Sequence, residues 1–254
     1  MQVKQYFLPT RAQNTWQIIK TGFSIYKYTF RQVVGLMMIS GILHIAMLFL
    51  PKMFANNINI FYYSVPMIII DTIVFISITY RINKFINGEY VSFRQAILIN
   101  SEKLLPVIAV GIIYGCAVLM GILLLIVPGI MLSIYLFFAL YLVIIDKNIT
   151  IIESIKSSYK LVAGHWWFTS WVISIIILIV MLFYLLNISL LLLVSVFIVK
   201  KLSLEVLDIM KDIKIIIEIF MHILNLFIMP FCHSITLATL YNLRLLKKSK
   251  IVIN

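Results

Sequence analysis

The strongest constraint in this chain is a pair of apolar runs too long to hide from water in a small soluble fold. Residues 104–127 are almost wholly apolar, and residues 129–145 form a second run across the Pro128-Gly129 junction. About 20 apolar residues are enough for a helix to cross the hydrocarbon core of a bilayer. Pro-Gly interrupts a helix, so the two runs predict a helical hairpin with Pro128 and Gly129 as its turn. The same reading finds four more spans, at roughly 33–51, 59–80, 167–187 and 214–240. The expected fold is all-α and polytopic, with about six transmembrane helices in three hairpins.

Composition agrees. The 254 residues are 63% hydrophobic and only 12% charged, with a mean hydropathy of +1.10, whereas soluble domains are about half apolar and a quarter charged. The first partner is therefore the lipid bilayer. The formal charge of +12 has to be read by position, because Lys and Arg collect on the cytoplasmic flanks of membrane helices. Sixteen of the 21 Lys and Arg residues fall on the side of Arg11, Arg81 and Arg244; five (Lys52, Lys200, Lys201, Lys211 and Lys214) fall on the other. This asymmetry places both termini in the cytoplasm. Trp16, Trp166, Trp167 and Trp171 gather near the same boundary, where amphipathic rings anchor helices. The charge excess is a topology signal and a basis for contact with anionic lipids; nucleic acid is not needed to explain it, and the sequence names no protein partner.

Residues 1–32 are polar and aromatic, so no cleavable signal is expected and the first apolar run acts as an uncleaved anchor. Cys116 and Cys232 lie in apolar runs without CxxC or metal spacing, which predicts two free thiols.

A motif recurs before each hairpin. Trp16, Ile19, Phe23, Tyr26 and Phe30 step by three and four, with Lys20, Lys27 and Arg31 opposite. Ile152, Ile155, Tyr159, Val162 and Trp166 repeat those steps, with Lys156 and Lys160 opposite and Ser157-Ser158 on the solvated face. Thr150 and Glu153 predict a capping box, and Gly164 a helix end. A fainter copy runs from Ser92 to Lys103, capped by Ser92 and Gln95. Helices of this kind lie in the interface, apolar face down. The chain thus divides as a single membrane domain, 1–254, into a first hairpin unit at 1–80, a second at 90–146, a third at 150–243 and a basic cytoplasmic tail at 244–254. Pro66 and Pro230 fall inside runs and predict kinks. Ile188–Val199 is apolar but too short to cross again, which suggests an interfacial or re-entrant piece, with amphipathic Leu202–Ile213 after it.

Val127-Pro128-Gly129-Ile130, Asp146-Lys147 and Ser154-Ile155-Lys156-Ser157-Ser158-Tyr159-Lys160-Leu161 together resemble the YciC-like proteins of bacterial inner membranes. Ser92-Phe93-Arg94-Gln95-Ala96 before Leu105-Pro106, and Leu240-Tyr241-Asn242-Leu243-Arg244, fit the same pattern. The resemblance covers residues 85–180 best; the loop at 188–214 and the connection at 51–58 depart from it. It implies a multi-pass protein of the bacterial inner membrane and supplies no biochemical activity. A broader similarity reaches membrane domains fused to glycerophosphodiesterases, but this chain carries no such catalytic domain.

Asp71 is the sharpest candidate residue. It sits near the middle of an apolar run, where a carboxylate costs at least about 2.5–3.5 kcal/mol to insert. It is read either as a coupling carboxylate facing a cavity or as an acid that pins helix packing. His44 is placed about 8 Å from Asp71 in depth by helix rise, either a partner or an interior histidine. Glu218, His222 and His233 share one face of the last helix, more consistent with a polar packing seam than with a metal site, which needs three or four clustered ligands. Gly111 and Gly115 form a GxxxG packing motif, favouring an intramolecular seam over a homodimer contact. No catalytic set, cofactor motif or metal cluster can be assembled. The sequence therefore points to a non-enzymatic protein, an envelope accessory or scaffold; the alternative is a small-solute or lipid transporter with Asp71 as its coupling residue.

Overall fold

A computed structural model of the chain describes residues 9–53, 61–202 and 206–253. These form α1 (Thr15–Met53), α2 (Phe61–Ile86), α3 (Phe93–Leu98), α4 (Asn100–Leu124), α5 (Ile126–Leu136), α6 (Ala139–Ile145), α7 (Ile151–Val162), α8 (Trp166–Leu202) and α9 (Val206–Ile253). Among the described residues there is no strand. Six segments are long and apolar enough to cross a membrane, with α5 and α6 together making one of them. The all-α polytopic expectation holds.

The N-terminal interfacial helix does not exist as a separate element. Residues 15–53 run as one helix, because nothing at the join of the amphipathic and apolar stretches breaks it: Gly35 is tolerated within a helix and no proline lies between Thr15 and Pro51. The buried line of α1 is Ile18, Gly22, Ile25, Thr29, Val33, Leu36 and Ser40. Trp16 and Phe23, expected on the stripe that faces the membrane interface, are left uncovered by the rest of the chain. The main partner of α1 is α9, and the two run antiparallel. Gln13 meets Asn242 through two hydrogen bonds, Tyr26 packs edge-on against Phe231, and Phe30 stacks on Phe227. At Gly22 the helices nearly touch: a Cβ there would lie 2.7 Å from the Cα of Ile235. The first and last helices thus close the bundle, and α2 packs between them on one side.

The central hairpin turns earlier than its Pro-Gly suggests. The break is Leu125, extended at φ −164° and ψ 144°. Pro128 lies in the first turn of α5, where a missing N–H leaves no intrahelical bond unmade. Gly129 is buried, and a Cβ at Gly121 would stand 2.8 Å from its Cα. The glycines that bring α4 and α5 together are therefore Gly121 and Gly129. Gly111 has only Leu140 nearby, and at Gly115 an added Cβ would meet nothing within 4 Å, so the GxxxG pair does not form the expected intramolecular seam.

Both short helices carry the anticipated caps. Ser92 and Gln95 form a capping box on α3, and Thr150 and Glu153 form one on α7. Gly164 follows α7 at φ 85°, a left-handed conformation that glycine adopts without strain. One face of α7 departs from expectation: Ser158, expected on the solvated face, is fully buried, as is Ser154, while Ile152 and Tyr159 of the apolar stripe are left uncovered by the chain. The Ser158 hydroxyl donates to the Tyr135 carbonyl at 2.7 Å, so this serine is a tether to α5 rather than part of a solvated face.

No separate interfacial or re-entrant element occupies 188–199. From Trp166 to Leu202 the chain is one helix, since it holds no glycine or proline to stop it. Almost none of the apolar stretch of α8 is buried within the chain. The expected amphipathic segment 202–213 falls on the end of α8, the start of α9 and residues 203–205, which lie outside the described residues. The connection at 54–60 lies outside them too, as do the side chains of Lys52, Lys200, Lys201, Lys211, Lys214 and Glu218.

Candidate functional site

Polar side chains in apolar helices are costly, so the places where several meet carry information. One such place lies between α1, α2 and α9. Ser40, His44, Asp71, His222, Asn225 and His233 line a cavity of about 190 Å³, closed in by Met37, Val74, Phe75, Ile78, Leu226 and Met229. Four candidate residues chosen from the sequence, Asp71, His44, His222 and His233, thus reach one space from three helices.

Their geometry is specific. His44 Nε2 lies 3.4 Å from Asp71 Oδ2, not about 8 Å away in depth as helix rise alone suggested; α1 and α2 are antiparallel neighbours whose offset rise cannot fix. His44 Nδ1 is 2.9 Å from the Ser40 carbonyl oxygen. A proton on Nδ1 satisfies that carbonyl, which leaves Nε2 to face the carboxylate. The Ser40 hydroxyl donates to Asp71 Oδ1 at 3.4 Å. The His222 ring lies 4.7 Å from the His44 ring, centroid to centroid. The Asp71 side chain is 56% exposed and that of His44 20%, so the carboxylate opens into the space instead of being packed shut. Among the described residues no cluster of three or more His, Cys, Asp or Glu has metal-holding geometry. What the arrangement offers is a proton or cation held among an acid, two imidazoles and a hydroxyl.

His233 lies deeper, fully enclosed, with Nδ1 2.9 Å from Thr79 Oγ1. Its ring packs against Phe75 and Tyr141. Asn225 accepts a hydrogen bond from the Tyr184 hydroxyl. Ser40, Thr79 and Asn225 were missed in the sequence. Ser40, four residues before His44, and Asn225, three after His222, each share a helix face with a candidate residue, which was a signal for those two.

A second polar pocket, about 590 Å³, lies at the other end of α2. Asn83, Lys84, Asn87, Glu102, Lys103, Asp146 and Lys147 line it. Tyr241 from α9 donates to Asn83 Oδ1 at 2.7 Å. Lys103 donates to the Val143 and Asp146 carbonyls, closing the C-terminal end of α6. Lys84 pairs with Glu89, whose carboxyl the lysine holds below the usual range. Arg81, one turn before Lys84, is buried and donates to the Gln32 carbonyl of α1.

Among the described residues, six helical segments long and apolar enough to cross a bilayer define a multi-pass α-helical membrane protein. No family model, curated protein or solved structure matches the chain.

Proposed function

We propose that this chain is a non-enzymatic permease of the bacterial inner membrane, passing a small solute or lipid-derived molecule with Asp71 as coupling residue. The observation that carries the proposal is the convergence of Ser40, His44, Asp71 and His222 on one cavity from three helices. Transporters bind substrate and coupling ion near the midplane, on residues brought in from separate helices. Protonating Asp71 removes a charge from the cavity, and His44 and Ser40 are the groups that respond to it. The excess of Lys and Arg near Arg11, Arg81 and Arg244 supports cytoplasmic termini and contact with anionic lipid there. The resemblance of residues 85–180 to the YciC-like proteins belongs to the same proposal.

A second reading, an envelope accessory or scaffold, is favoured by α8, which has few fully buried residues and presents Leu178, Met181, Leu182, Leu185 and Leu186 on a face the rest of the chain does not cover. Native mass spectrometry of protein extracted into lipid nanodiscs at native abundance separates the two. A bound solute without a protein partner supports the permease, and Asp71→Asn should then lose energised uptake while staying folded. A stoichiometric protein partner and no solute supports the scaffold.

A further inference from the structure

Polar residues do not stop at the cavity. On α2 and the turn that follows it they recur at steps of four: Asp71, then Thr79, Asn83 and Asn87, with Phe75 filling the one gap. Each step of four turns about 40° round the helix, so Asp71 meets Ser40 and His44 of α1, while Thr79, Asn83 and Asn87 are the members of the line that reach α9. On α9 the matching line is His222, His233 and Tyr241. Thr79 bonds His233, and Tyr241 bonds Asn83 and Asn87. Asn83 and Asn87 line the second pocket. The sixteen residues from Asp71 to Asn87 span about 24 Å at the rise of an α-helix, most of the thickness of a hydrocarbon core.

We infer that this α2–α9 seam is a proton route joining the two pockets, with His233 as its central carrier and Leu237 as its seal. The inference rests on reading the His44–Asp71 cavity as a coupling site. His233 lines that cavity and also touches Thr79. Its ring can take a proton on Nε2 and release the one on Nδ1 to the Thr79 hydroxyl, as that hydroxyl hands its own proton to water admitted past the opened seal. A turn of the ring then restores the starting tautomer. The groups facing it from other helices are Thr79, Phe75 and Tyr141, with Cys232 beside it on α9. Beyond it the line is closed. Leu237, one turn on between His233 and Tyr241, is fully buried, as are Ile78 and Ile82. An apolar constriction of this kind gates by excluding water. Pro230 lies within α9 one turn before His233, where its missing N–H weakens the helical ladder and permits bending. In this state the route is open from the cavity to Thr79 and shut between Thr79 and Asn83.

Proton flux through the full chain in liposomes tests this, with an entrapped pH dye and the membrane potential clamped by potassium and valinomycin. Leu237→Ser places a hydroxyl in the seal and is expected to raise proton leak at least about tenfold over wild type. Adding His233→Phe should return the leak to within about twofold of wild type, because phenylalanine keeps the ring between Phe75 and Tyr141 but carries no proton. Thr79 can then turn its hydroxyl to the carbonyl four residues back. A folded Leu237→Ser protein that leaks no more than wild type overturns the route. A leak that persists undiminished in the double variant overturns His233 as carrier and marks a plain water breach. If Leu237→Ser is not recovered as a monodisperse helical protein, Ile82→Ser carries the same comparison. Uptake of the solute found by mass spectrometry reports separately on coupling. Uptake lost in Asp71→Asn alongside a negative leak result sinks the route alone, whereas uptake retained sinks the coupling reading.

Discussion

Arg244 Nη2 donates to both carboxylate oxygens of Asp146, at 2.8 Å and 2.7 Å, across 98 positions of sequence. The pair ties the end of α6 to the last helix, and Lys103 holds the same corner by donating to the Asp146 and Val143 carbonyls. Both side chains are about one-third exposed, so the ion pair is neither screened as a surface pair is nor desolvated as a core pair is. Asp146→Ala should cost about 1–2 kcal/mol, between the values for exposed and buried pairs. A cycle of Asp146→Ala, Arg244→Ala and the double variant, followed by chemical unfolding in detergent, should give a coupling of about 1 kcal/mol. Strict additivity would mean that the pair contributes no stability.

Glycine positions separate close approach from open space. At Gly22 an added Cβ would meet the Ile235 backbone, and at Gly129 it would lie 2.8 Å from the Ile122 nitrogen. Backbone cannot move aside as a flexible side chain can. Gly22→Ala and Gly129→Ala should each cost about 1–3 kcal/mol, the range for overpacking. Gly35 and Gly115 have nothing within 4 Å of the added atom, and alanine is the better helix former by up to about 1 kcal/mol. Gly35→Ala and Gly115→Ala should therefore unfold no earlier than wild type. A large loss at Gly115 would reveal a packing partner outside this chain.

The cap of α7 titrates. Glu153 accepts from the Thr150 backbone N–H at 2.9 Å, and this bond, followed by that of the Thr150 hydroxyl, holds its carboxyl below the usual glutamate range. A carboxyl whose pKa is depressed on folding contributes stability above its unfolded pKa, and that contribution is lost as pH falls through the folded value. Amide protection in the first turn of α7 should thus be flat at neutral pH and decline below about pH 4. Glu153→Gln can still accept the bond but does not titrate, and should flatten the acid limb. Hydrogen exchange followed against pH checks both.

Much of the fold was legible because bilayer length is a strict ruler. Apolar runs of about 20 residues give span number directly, and the capping boxes at Ser92 and Thr150 can be read from two residues each. Helix continuity was harder. Residues 16–31 and 33–51 differ in amphipathic character but nothing between them stops a helix, and the same holds from Trp166 to Leu202. A change of environment along a chain is not a change of backbone. The turn at Leu125 was misplaced because Pro128 is as well suited to a first helical turn as to a break. For the cavity, single-helix spacing showed that His222 and His233 share a face. That His44 touches Asp71 depends on the offset between two helices, which periodicity does not encode.

Stability can tell whether Asp71 is a structural pin. Its contacts to Ser40 and His44 are both 3.4 Å, long for hydrogen bonds to a carboxylate, and its side chain is 56% exposed. A residue held so loosely does little to fix helix packing, so Asp71→Asn should change unfolding free energy by no more than about 0.5 kcal/mol. His233 differs: it is 3% exposed, with a 2.9 Å bond to Thr79 and aromatic rings against it. His233→Ala removes a buried ring and leaves a cavity between Phe75 and Tyr141, and should cost about 2–4 kcal/mol. The two variants measured side by side in the same detergent give the answer. If Asp71→Asn is as destabilising as His233→Ala, the carboxylate is part of the packing and its claim to a coupling role falls. If it is neutral, the insertion cost of that acid is left without a structural return, and coupling is the remaining explanation for its place in the helix.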